Sequence, residues 1–273
     1  MLTKIGRLDS EAKSELQDMI NSVFSLLDKK KKAKAEKDLI KMSSTPNYFI
    51  REYIGKQLIN YKDQNLILPI AQKMLTHKIY GVRATALFYF YTVYIEEPEK
   101  LFTILEDTYE DIPWEVESII NEMWKKYPDL MKDRMYSWIE SEDSQKRALS
   151  FHGMENIAHS DPQYIMEFIS KAIDDDTIEV QKKITHILTQ VARANPIIVF
   201  PYVREWLSEA NDKRIKTIWV SMKKLANIVI QRNRKDKSEE FVLLTQQTIN
   251  DWTNDENENV VKMGEKLSHI INR

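Results

Sequence analysis

No cysteine occurs in the 273 residues. Disulfides, a thiolate zinc centre and a cysteine nucleophile are thereby excluded, and a reducing cytoplasm is a natural setting. Five glycines and eight prolines are too few for a turn-rich β protein. No run approaches 18 apolar residues, and residues 1–10 carry neither an apolar core nor a cleavage-like site. The expectation is a cytoplasmic chain without a signal peptide or membrane span. His77, His152, His159, His186 and His269 form no HExxH or paired-ligand spacing. No glycine-rich phosphate loop and no G-x-S-x-G setting exists either, so neither metal nor cofactor is expected. Forty basic against 42 acidic residues give a net charge of −2. Any nucleic-acid site must therefore come from segregated charge.

What the chain does have is periodicity. Pro98, Pro128, Pro162 and Pro196 each precede an apolar-periodic run and are 30, 34 and 34 residues apart. Asp161-Pro162 is a helix start: Asp accepts from early backbone N–H groups, and proline fits a first turn whose N–H has no partner. Ile165, Phe168, Ile169 and Ile173 follow at helical spacing, and Asp174-Asp175-Asp176 interrupts the stripe. Val180, Ile184, Ile187, Leu188 and Val191 then mark a second amphipathic helix before Asn195-Pro196 restarts the cycle. Eighteen residues beyond each proline a second helix begins, at Val116, Lys146, Val180 and Arg214; Val82 and Ile50 hold the same phase upstream. A period in the thirties with two helices per unit predicts an all-α fold, an α-α superhelix of about six to seven helical hairpins. The Val-Arg-x-x-Ala start at Val82 resembles a HEAT repeat.

In chain order, an amphipathic helix over 10–27 caps the first repeat, and a run of five lysines over 29–34 is either a basic patch or a solvated helix end. Helices follow over 48–61, 66–75 and 82–94, the last with Phe88, Tyr89, Phe90, Tyr91 and Tyr94, mostly core. Pairs are predicted over 98–110 and 114–126, 128–140 and 144–158, 162–191, and 196–208 with 213–230. The whole is expected as one solenoid, 1–273: an N-terminal helical cap (1–45), core repeats (46–230), a polar connection (231–240) and a terminal helical pair (241–273).

Charge alternates with the helices. The first helix after Pro98 is flanked by Glu96, Glu97, Glu99, Glu106, Asp107, Glu110 and Asp111. Second helices carry Lys78 and Arg83; Lys146 and Arg147; Lys182, Lys183 and Arg193; Lys213, Arg214, Lys216, Lys223 and Lys224. The 114–126 helix goes the other way, with Glu115, Glu117 and Glu122 against Lys125 and Lys126. If second helices line the concave face, as in HEAT-like solenoids, the inner wall is basic. Such a wall attracts a polyanion despite the neutral total. Duplex DNA is the preferred partner, an acidic protein surface the alternative, and a monomer is expected.

The run PWEVESIINEMWKKYPDLMKDRMYSWIESEDSQKRALSF, with VQKKITHILTQVARANPIIVFPYVREWL after it, resembles the AlkD-type HEAT-repeat DNA glycosylases of alkylation repair. The likeness covers residues 98–207 and rests on helix phase, the Tyr-Pro and Asn-Pro starts, Trp138-Ile139-x-Ser141 and Arg147. It implies a protein that holds duplex DNA in a concave groove and cuts the glycosidic bond of cationic alkylpurines. A carboxylate would face the developing oxocarbenium, two Trp faces the backbone, and an Arg a phosphate.

Carried over by position, the Arg is Arg147 and the carboxylate is Glu117, one methylene longer than the family's Asp. Pro113 stands at the first Trp position with Trp114 one residue away, and His186 stands at the second. The longer side chain shifts the charge by about 1.5 Å, and each absent aromatic face removes roughly 0.5–2 kcal/mol of cation–π contact. The resemblance therefore implies a weak or lost glycosylase with Glu117 as its carboxylate. Arg147, Lys146, Trp114, Arg83, Lys182, Lys183, His186, Arg214 and Lys216 are the DNA-binding candidates. Each also has a structural reading: Glu117 solvated or lysine-paired, Arg147 a repeat-ladder arginine bonding neighbouring carbonyls, and His186 a core histidine.

Overall fold

A computed structural model describes residues 6–272. Among the described residues there are fifteen α-helices, two short 3₁₀ turns and no strand. The fold is all-α, an α-α superhelix of stacked helical hairpins. The chain divides into two compact units, Met1–Ile119 and Ile120–Arg273.

The first unit contains α1 (Ser10–Asp28), α2 (Lys32–Ser43), α3 (Tyr48–Gln57), α4 (Gln64–Leu75), α5 (Tyr80–Tyr94), α6 (Pro98–Thr108) and the start of α7 (Pro113–Lys126). Asp9, Asn47 and Asp63 accept from backbone N–H groups at the starts of α1, α3 and α4, meeting the orphan donors there. Helix α3 packs between α1 and α5. Gly55 sets how near α5 can come, because a Cβ there would lie 2.4 Å from the Thr85 carbonyl oxygen. The aromatic expectation for α5 holds for Phe88, Tyr89, Phe90 and Tyr94, which are buried. Helix α2 lies within the expected N-terminal helical cap, where the sequence delineated only the helix over 10–27. Its buried stripe is only Ala35, Leu39 and Met42, so helix-favouring Lys, Ala and Glu carry it more than amphipathicity does. The lysines at 29–34 are exposed in the turn and first turn before that stripe.

The second unit holds the rest of α7 and α8 (Pro128–Ile139), α9 (Ser144–Ser150), α10 (Pro162–Ala172), α11 (Ile178–Ala194), α12 (Pro196–Ser208), α13 (Asp212–Ile230), α14 (Glu239–Trp252) and α15 (Glu258–Ile271). Proline occupies the first turn of α8, α10 and α12. Helices α8, α10, α12 and α14 touch in succession as one layer, and α9, α11, α13 and α15 as the other. Each helix of a layer thus meets its counterparts in the neighbouring hairpins, the packing of a solenoid. The helix expected over 144–158 is cut short. Gly153 turns left-handed (φ +82°) against Trp124, whose Cδ1 would lie 2.6 Å from an added Cβ, and a 3₁₀ turn, Met154–Ile157, follows.

Candidate functional site

Side chains in the first turn of the second helices bond backward along the chain. Arg51, Arg83, Arg147 and Gln181 each donate to the carbonyl six residues earlier: Thr45 at 3.1 Å, His77 at 2.7 Å, Ser141 at 2.8 Å and Asp175 at 2.9 Å. These side chains satisfy turn carbonyls that no helix bond reaches. The arginines then pair outward. Arg83 reaches the Asp111 carboxylate at 3.8 Å. Arg147 Nε donates to Asp175 at 2.7 Å and its Nη2 to Thr177 Oγ1 at 3.2 Å. Burial pushes the Asp175 carboxyl up, but the bonds from Arg147 and Thr177 outweigh it and hold it below the usual carboxylate range. Arg214 grips Asp174 with two nitrogens, at 2.9 and 2.5 Å, and its hydrogen bond likewise lowers that carboxyl. Arg83, Arg147 and Arg214 are thus occupied by protein partners.

Helix α7 breaks this row. Near the equivalent position it carries Glu115, fully buried, which accepts from Arg51 Nη2 at 2.5 Å and from the Tyr80 hydroxyl at 2.5 Å. Burial, then the adjacent carboxylate, pushes the Tyr80 phenol well up. Over this cluster opens a hollow of about 640 Å³ lined by Thr45, Pro46, Arg51, Tyr80, Pro113 and Trp114 among others. Trp114 stands at its edge, 70% exposed. Glu117 is half-buried and lies three residues beyond Trp114, so the two share a face of α7 one turn apart. Glu115, rotated off that face, is committed to Arg51 and Tyr80. Beside Glu117, Ser118 Oγ lies 2.7 Å from the Tyr48 hydroxyl. Trp114, Glu117 and Arg83 belong to the first unit.

The remaining candidates belong to the second unit, on the adjacent helices α9, α11 and α13. Lys146 lies over the Trp138 ring at 5.3 Å. Lys183 Nζ is 3.2 Å from His152 Nδ1. Lys182, His186, Lys216, Lys223 and Lys224 are exposed. Solvent reaches His186, yet enough protein surrounds the ring to lower its pKa; Lys224 and Lys183 lower it further, against Glu155. In this layer turn aspartates neutralise Arg147, Arg214 and Lys213, while Lys182, Lys216, Lys223 and Lys224 are exposed.

Two constellations escaped sequence reasoning. The Glu115–Arg51–Tyr80 cluster joins residues up to 64 positions apart, and nothing local distinguishes Glu115 from Glu117. The second is a hollow between α13 and α15, lined by Asp212, Ile215, Lys216 and Trp219 on one side and Asn259, Lys262, Met263 and Lys266 on the other. Its signal was available: both quartets follow i, i+3, i+4, i+7 spacing, which puts four side chains on one helix face.

Comparison with solved structures finds an engineered protein at 15% identity, TM-score 0.31, over 93% of this chain and 96% of that one. A designed armadillo repeat protein matches at 14% identity, TM-score 0.25, over 94% and 99%. No curated protein matches. The family model described as DNA alkylation repair enzyme matches residues 41–222. The chain belongs to the DNA alkylation repair enzyme family.

Proposed function

We propose that the protein binds duplex DNA on the layer formed by α9, α11 and α13, and that it is a weak or inactive alkylpurine glycosylase. The observation that carries this reading is a run of exposed lysines, Lys182, Lys216 and Lys224, with the exposed His186 among them, on adjacent helices of a chain in a DNA-repair family. Lysines not tied to carboxylates are the groups that displace condensed counterions from a phosphate backbone. The paired arginines act mainly as struts, so the exposed Lys182, Lys216 and Lys224 carry more of the binding than Arg83, Arg147 and Arg214.

For the chemistry, Glu117 is the carboxylate to face an oxocarbenium-like centre, with the neighbouring Trp114 ring against the DNA. Such a carboxylate works only when held within a few ångströms of the developing charge. Glutamate's extra rotor weakens that hold, which is why little or no turnover is proposed.

Two measurements test the reading. Affinity for a duplex should fall steeply with salt, and Lys182→Ala with Lys224→Ala should flatten the log–log slope by about 0.9 for each lysine on a phosphate. Release of 3- or 7-alkylpurine from methylated duplex should be slow and lost in Glu117→Gln. Release indifferent to that change removes Glu117 from the mechanism. No duplex affinity even at low salt leaves a scaffold for an acidic protein partner.

A further inference from the structure

The hollow between α13 and α15 measures about 420 Å³, within the roughly 300–1,000 Å³ of small-ligand sites. Its two walls lie outside or at the end of the family-matched segment, with all of α15 beyond it. Trp219, half-buried, forms part of the wall, and the ammonium groups of Lys223 and Lys266 each lie 5.9 Å from its ring centroid. Both ammonium groups end long, flexible side chains, and it is their swing aside that would bare the indole face for a flat group. Lys216 and Lys262 complete the rim; Lys262 also pairs with exposed Glu258 at 2.5 Å, and Asp212 is the one acid lining the hollow.

An indole ringed by four lysines suits one chemistry in particular. A base stacks on an aromatic face while its own phosphates meet adjacent cations, the arrangement that holds unpaired strands. A paired base cannot use it, since its faces are covered by its neighbours in the duplex. An acidic peptide would use the lysines but has no need of the indole.

We propose that the α13–α15 hollow binds an unpaired nucleotide of single-stranded DNA, its base on Trp219 and its phosphates on Lys216, Lys262 and Lys266. This site shares Lys216 with the duplex surface proposed above, but Trp219 and the α15 lysines are not part of that surface, so either can fail without the other. The test is titration of the full chain with a labelled dT oligonucleotide, a duplex of equal length and a poly-glutamate peptide. Trp219→Ala should weaken the oligonucleotide about tenfold or more with duplex affinity unchanged, and Trp219→Phe should restore most of the loss. Lys266→Ala should reduce the single-strand salt slope by about 0.7. Equal oligonucleotide affinity in wild type and Trp219→Ala overturns the proposal. So does poly-glutamate that displaces the oligonucleotide equally from both, which would mark an acidic-protein surface.

Discussion

Arg147 donates to the carboxylate of Asp175, 28 residues further along the chain, at 2.7 Å, and the same 28-residue step joins Arg83 to Asp111 at 3.8 Å. The recurrence makes these arginines part of the repeat itself. Arg147→Ala should therefore cost stability, about 2–3 kcal/mol, because it strands a carboxylate whose side chain is only 9% exposed. A thermal melt checks this. A variant that melts like wild type but loses duplex affinity would assign Arg147 to phosphate instead.

The two glutamates of α7 should separate cleanly. Glu115→Gln removes the charge from a fully buried site facing Arg51, and about 3 kcal/mol of destabilisation is expected from the unpaired guanidinium. Glu117→Gln, half-buried at the surface, should stay within about 0.5 kcal/mol of wild type. Denaturant midpoints of the two variants measure the contrast. Similar losses in both would mean that Glu117 too is held by a buried partner.

His186 supplies a pH readout. Its folded pKa lies below the ordinary histidine value, so the folded state prefers the neutral ring. The unfolded chain takes up its proton first as pH falls below about 6.5, and stability from this group, present above that, declines toward the folded pKa. A phosphate nearby favours the imidazolium. Duplex affinity of wild type relative to His186→Gln should therefore rise as pH drops from 7.5 to 5.5. A ratio that stays flat across that range takes His186 off the phosphate path.

The helices after Pro98 were legible because apolar residues recur near 3.6 and proline opens the first helix of four successive hairpins, α6, α8, α10 and α12. Helix α2 was not, since Ala35, Leu39 and Met42 are too slight a stripe among so many lysines. Gly153 ended α9 early for a reason that exists only across space, the Trp124 ring. The same holds for the site. Lysine and arginine read alike in a basic stretch, yet turn carbonyls and aspartates take Arg83, Arg147 and Arg214 and leave Lys182 and Lys216 outward. Glu115 and Glu117 differ only in which wall α3 and α5 present to them.

The triplet Asp174-Asp175-Asp176, at first sight a mere gap in an apolar stripe, is gripped from both directions. Asp175 holds Arg147 on α9, while Asp174 and Asp176 hold Arg214 and Lys213 on α13. Three neighbouring hairpins are thus buttoned through a single short turn. Because Arg147 and Arg214 keep Asp175 and Asp174 ionised to lower pH than usual, the fastening persists at mild acidity and opens below the normal carboxylate range. Hydrogen exchange followed down the pH scale should see α9 and α13 loosen together, from the middle of the unit outward.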